Sequence, residues 1–176
     1  MGMLWRYKST PGVAASAPAR WPQGTQLTHA PDRMTLVLFA HPQCTCTRAT
    51  LVELAWLVDH HRALLSTQVV FIQPAGLDDH WLDSDTYRRV GAMPGVARRI
   101  DRDGSEARRF GAATSGQALL YDSDGRLLFS GGLTGARGHE GDNLGRARVA
   151  ALLSHQPIDR AVSSVFGCEL ETPRAL

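Results

Sequence analysis

The chain has 176 residues, 43% of them hydrophobic, and 19 basic against 17 acidic side chains leave a net charge of +2. That is enough for one domain with a proper core, and the interspersed charges indicate neither a nucleic-acid surface nor a polybasic membrane patch. Three cysteines are too few and too unevenly placed for a disulfide-stapled scaffold, and no stretch reaches the roughly 18 apolar residues of a membrane-spanning helix.

The opening M-G-M-L-W-R-Y-K runs from apolar to basic, the reverse of a signal peptide. It also fits the end of an anchor. Residues 9–31 carry four prolines and many small residues without periodicity, so 1–31 reads as an irregular N-terminal arm or linker. Trp21 and Leu27 are its candidates for packing onto the domain, and a first strand of the sheet has room there. Residues 36–39 (L-V-L-F) then form a run with almost no polar relief, read as a strand buried on both faces and ending at Ala40. His41-Pro42-Gln43 breaks it, because Pro42 cannot donate to a ladder and disfavours helix in the residue before it. Cys44 and Cys46 follow at once. From Thr47 the apolar spacing becomes helical, through Leu51, Leu54, Ala55 and Val58, with Trp56 and Leu57 widening the stripe.

Residues 67–73 (T-Q-V-V-F-I-Q) read as a second buried strand, and the intervening helix makes the pair parallel. A helix over 78–92 follows, capped by Asp78 or Asp79, then a strand at 96–100. D-R-D-G-S-E-A-R-R-F-G reads as a turn and a short helix with Ser105 as cap and Gly111 as stop. Residues 117–121 and 126–130 form a hairpin about D-S-D-G. The last helix covers 144–154, and 156–176 have no strong pattern. Trp56, Trp81 and Tyr87 read as core, and the pairs Arg88-Arg89, Arg98-Arg99 and Arg108-Arg109 as solvated faces. The element order predicts an α/β fold with a central mixed sheet and helices on both faces.

Within that order, L-V-L-F-A-H-P-Q-C-T-C-T-R-A-T-L-V-E-L resembles the strand, active-site loop and first helix of the thioredoxin-like superfamily. R-R-F-G-A-A-T-S-G-Q-A-L-L-Y-D-S-D-G-R-L-L-F-S-G-G resembles its closing short helix and hairpin. The resemblance is nearest to the thiol:disulfide oxidoreductase and peroxiredoxin branches. It implies a thioredoxin-like domain over 32–155 with a C-terminal tail over 156–176, and allows an extracytoplasmic, membrane-tethered setting. Two hallmarks differ. Position three after Cys44 is Thr47 rather than a second cysteine, which sits instead at Cys46, and where the family places a cis-proline this chain has Thr114, Ser115 and Gly116.

A loop before a helix start favours a thiolate, because unpaired backbone N–H groups and the helix dipole point at it. Cys44 is therefore the expected nucleophile. Either it forms an easily reduced disulfide with Cys46, the expected resolving thiol, or Thr47 hydrogen-bonds its thiolate as the resemblance to peroxiredoxins implies. In the second case a peroxide or persulfide would be attacked, and Cys46 or Cys168 would resolve the product. His41, three residues before Cys44, is placed to lower its pKa or to protonate a leaving thiolate. From the thioredoxin-like topology, residues 131–143 should form a loop beside Cys44, bringing Arg137, His139, Glu140 and Asp142. The expected partners are a protein disulfide, or a small-molecule thiol or peroxide substrate, with an external thiol system as electron donor and no cofactor. The reading from a different class is a metal-binding or copper-chaperone domain in which His41, Cys44 and Cys46 hold copper or zinc.

Overall fold

The computed structural model describes residues 10–12 and 16–170, so the opening basic segment lies outside the described residues. Its elements are β1 (Met34–Ala40), α1 (Thr47–His61), β2 (Leu65–Gln73), a 3-10 turn (Asp79–Leu82), α2 (Asp85–Gly91), β3 (Val96–Arg102), α3 (Ser105–Arg109), β4 (Gln117–Tyr121), β5 (Leu127–Gly132) and α4 (Leu144–Leu153). The five strands stand in the order β3-β2-β1-β4-β5. β1, β2 and β3 are parallel, and β4 and β5 each run antiparallel to the preceding neighbour in that order. This is the mixed α/β sheet the sequence predicts.

The uninterrupted apolar run of β1 follows from its central place. Alternate side chains of a strand point to opposite faces. Leu36, Leu38 and Ala40 pack with Leu51, Leu54 and Leu57 of α1, Val90 of α2, and Val149 and Leu153 of α4. Val37 and Phe39 pack on the other face with Ala107, Phe110 and Tyr121, and with Leu27 from the arm. Both faces are covered, one by three helices and the other by α3 with the arm.

Several local expectations are corrected. The arm contributes no strand among its described residues, only an isolated bridge from Arg20 to Arg126. It is held by side chains instead, with Trp21 edge-on to Phe110 and Tyr121 at 5.1 and 5.2 Å and Tyr121 Oη donating to the Pro18 carbonyl at 3.1 Å. The helix expected over 78–92 is broken, because Ser84 adopts an extended backbone and caps α2 by accepting from Tyr87 N–H. Ser105 does not cap α3. The Asp101 carboxylate, at the end of β3, accepts from the N–H groups of Glu106 and Ala107 at 2.9 and 2.8 Å. Trp56 is 38% exposed rather than core, stacked on His60 with the Arg146 guanidinium over its ring. Residues beyond α4, patternless in the sequence, run back along the open edge of β5 through a parallel bridge between Ser130 and Val162.

Candidate functional site

β1 delivers the chain to the site at Ala40, its last residue paired with β2. The turn that follows is closed by hydrogen bonds from Cys44 N–H to the His41 carbonyl and from Thr47 N–H to the Cys44 carbonyl, each 3.1 Å. Thr86 of α2 clamps it by donating to the Pro42 carbonyl at 2.6 Å. Cys46 already has helical dihedrals, and α1 starts without a side-chain cap and without an acidic residue in its first turn. An uncapped helix start leaves its N–H groups and positive dipole end to whatever anion lies there. Here that position is held by the Cys44 sulfur.

Cys44 is 1% exposed. Burial alone would push its thiol up, yet its pKa is held below the ordinary value. The sulfur receives hydrogen bonds from the backbone N–H and thiol of Cys168, the hydroxyl of Thr47 and the backbone N–H of Cys46. A hydrogen bond to a charged acceptor is worth about 1.5–3 kcal/mol, so several converging on one sulfur can outweigh its desolvation. Thr47, itself buried, is placed by a 2.9 Å contact between its hydroxyl and that of Ser115. Ser115 also accepts from His41 N–H at 2.9 Å. Gly116, at φ +94°, donates to the Phe39 carbonyl at 2.8 Å and lets the chain turn into β4. No cis peptide occurs among the described residues. The Thr114-Ser115-Gly116 loop is thus set against Cys44 by a serine hydroxyl and a glycine in the left-handed region rather than by a cis-proline.

Cys46 is raised, by burial first and then by the neighbouring Cys44, while a hydrogen bond from Arg137 works in the opposite direction. Arg137 also donates to the Gly167 carbonyl at 2.5 Å. Of the 131–143 loop, Arg137 therefore reaches the cysteines. His139 and Glu140 are exposed, and His139 lines a separate cavity of about 1280 Å³ between that loop and the tail. Asp142 pairs with Arg146. The His41 imidazole lies edge-on to Trp81 at 4.9 Å and accepts from Gln43 N–H. Burial lowers its pKa, so it stays neutral near pH 7 and does not supply a cation to the thiolate.

Two features escaped the sequence. Glu53, only 1% exposed, anchors the 131–143 loop by accepting from Gly141 N–H at 2.6 Å and from Arg146 at 2.7 Å. Its signal is an acidic residue inside the apolar stripe of α1. The second is the path of the tail, which brings Cys168, one of the two resolving thiols the sequence offers, to the site: Thr114 and Glu169 form an antiparallel bridge. Ser115 N–H donates to the Cys168 carbonyl at 2.8 Å and Leu170 N–H to the Ala113 carbonyl at 2.9 Å. Cys168 is half-buried and its thiol is pushed up to about 12 by burial and by the adjoining Cys44 sulfur. Three free thiols thus share one site. Among the described residues no group of three or more His, Cys, Asp or Glu is placed to hold a metal ion.

No family model and no curated protein matches the chain. Among solved structures it is similar to an uncharacterized conserved protein from Geobacillus kaustophilus, at 16% identity and a TM-score of 0.66, with 96% of this chain and 95% of that one covered. A hypothetical protein from Sinorhizobium meliloti 1021 matches at 24% identity and 0.63, covering 94% and 96%. A thioredoxin-like protein solved in its oxidized form matches at 15% identity and 0.57, covering 79% of this chain and 97% of that one. The likeness to the last of these shows that the chain has a thioredoxin-like fold. No helix among the described residues is long and apolar enough to cross a membrane.

Proposed function

We propose, from a thioredoxin-like fold with three thiols at the start of its first helix, that the protein is a thiol-based redox protein whose nucleophile is Cys44. The observation that carries this reading is a buried cysteine in the turn before an uncapped helix start, where Ser115 bonds both Thr47 and the Cys168 carbonyl. Donors to sulfur stabilise the thiolate over the thiol, and the thiolate is the species that attacks. Thr47 orients it, Ser115 orients Thr47, and a second thiol at the site releases the bound product as an intramolecular disulfide. Cys46 and Cys168 are both within hydrogen-bonding reach of Cys44 for that step.

The substrate class is a disulfide of a protein or a small thiol compound, with an external dithiol returning the electrons. A peroxide uses the same nucleophile, giving a sulfenic acid that a second thiol condenses with. Reduced protein is mixed in turn with a model disulfide and with hydrogen peroxide, and thiol loss is followed in wild type and in Cys44→Ser. Cys44→Ser should fall to the uncatalysed rate with the disulfide. Unchanged consumption in that variant would rule the reading out, and a faster reaction with peroxide than with disulfide would move the substrate class to peroxides.

A further inference from the structure

Cys44 has two candidate partners, and they differ in what closing a bond with each would disturb. Cys46 lies two residues on, inside the first turn. Its backbone is helical, the Cys44 carbonyl accepts from Thr47 N–H, and the Cys46 carbonyl accepts from Thr50 N–H. Cys44 itself lies in the turn before the helix with Cys46 beside it, but a bond between cysteines two apart closes a short, strained ring and disturbs the turn that places Thr47. Cys46 is also engaged with Arg137.

Cys168 approaches from outside that turn. The tail lies antiparallel on the 113–115 loop, with Ser115 N–H donating to the Cys168 carbonyl and Leu170 N–H to the Ala113 carbonyl, and Ser115 also contacts Thr47 of the Cys44 turn, which sets Cys168 beside that turn. Hydrogen bonding from Cys168 is also among the causes that hold the Cys44 thiol low. The packing is close: a Cβ on Gly167 would stand 1.8 Å from the Ser115 carbonyl oxygen. Leu170 is buried in the core beneath the 110–121 segment, which fixes the tail beyond the cysteine. Bonding these two sulfurs leaves the first turn of α1 intact.

We infer that Cys168, carried onto Cys44 by the C-terminal tail, is the resolving thiol of the cycle, and that Cys46 serves to hold Arg137 and the tail in place. The inference rests on the reading of Cys44 as nucleophile. In the first step the Cys44 thiolate attacks one sulfur of the substrate disulfide. A Cys44–substrate bond forms, the substrate S–S bond breaks, and the departing thiolate takes a proton from solvent. In the second step the Cys168 thiolate attacks the Cys44 sulfur, its proton passing to the second leaving thiolate. The Cys44–Cys168 disulfide forms as the mixed disulfide breaks. Two electrons have gone from the protein dithiol to the substrate, and an external dithiol returns them.

The resting site also sets the order of events. While Cys44 is a thiolate, Cys168 is kept protonated beside it as a donor. Once Cys44 is bound to substrate its charge is gone and that part of the restraint on Cys168 goes with it, while burial, the larger cause, acts as long as the tail is docked. Because Cys44 is 1% exposed under the docked tail, the tail has to lift for the first step and return for the second.

The test uses the full chain. Reduced wild type, Cys44→Ser, Cys46→Ser and Cys168→Ser are each exposed to oxidised glutathione, quenched by alkylation, and mapped by mass spectrometry without reduction. Wild type and Cys46→Ser should give the Cys44–Cys168 link, while Cys168→Ser should stall with glutathione on Cys44. A Cys44–Cys46 link as the main wild-type product overturns the inference, and this arm depends on no variant folding. So does its formation in Cys168→Ser at the wild-type rate. The reading of Cys44 fails separately, if Cys44→Ser takes up glutathione as fast as wild type.

Discussion

At the scale of single residues the site depends on donors rather than on a neighbouring cation. Thr47 and Cys168 each place a side-chain donor at the Cys44 sulfur, so removing either disfavours the thiolate and raises the thiol's pKa. The alkylation rate of Cys44 measured against pH should show its inflection below that of an ordinary thiol. In Thr47→Val and in Cys168→Ala the inflection should move to higher pH. His41→Ala should leave it nearly in place, since that ring is neutral and turned to Trp81. A large upward move in His41→Ala, with none in Thr47→Val, would reverse these assignments. The glycine at 167 is a different kind of residue effect. Gly167→Ala puts a methyl against a backbone carbonyl, which has no room to yield. Overpacking of this sort costs about 1–3 kcal/mol, enough to raise the open population of the tail roughly five- to 150-fold, and Cys44 should alkylate faster by the same factor.

At the scale of elements, the buried pair of Glu53 and Arg146 ties α1, α4 and the loop between β5 and α4 together. Removing one partner of a buried ion pair leaves the other uncompensated, at a cost of about 3–5 kcal/mol. Arg146→Ala, which strands the 1%-exposed Glu53 carboxylate, should lose stability of that order in a urea titration, and a loss under about 1 kcal/mol would mean that Gly141 N–H alone satisfies Glu53. The same elements show what a sequence can carry. β1, β2 and the hairpin were legible because their apolar runs are long and bounded by Pro42, Pro74 and D-S-D-G, and α1 because its stripe keeps helical spacing. The break at Ser84, the cap from Asp101 and the charge at Glu53 were not. Each is decided by a partner that is brought in by folding or by a local choice that periodicity does not encode. The site divides in the same way: Cys44, Cys46 and Thr47 are adjacent in the chain and could be read directly. Cys168 reaches them through backbone bonds to the 113–115 loop, and backbone bonds leave no mark on the pattern of side chains.

At the scale of the whole molecule, a bond between positions 44 and 168 would close a loop of about 120 residues, nearly the entire domain. By chain entropy, cross-linking a loop that long stabilises the folded state by about 4–5 kcal/mol. Oxidised protein should therefore unfold at a clearly higher urea concentration than reduced protein, whereas a link from Cys44 to Cys46 would change the midpoint little. The two edges of the sheet make a last contrast. β3 presents Arg98, Arg99 and Arg102, charges that discourage another strand from pairing there. β5, L-L-F-S-G-G, has none, and is shielded by the tail at Ser130, Ala161 and Ser163. A lift of the tail that reaches back past Ser163 also bares an uncharged strand edge, and self-association becomes a hazard of turnover. Light scattering from Gly167→Ala should rise with protein concentration where wild type stays monodisperse, and oxidation that pins the tail in place should suppress it.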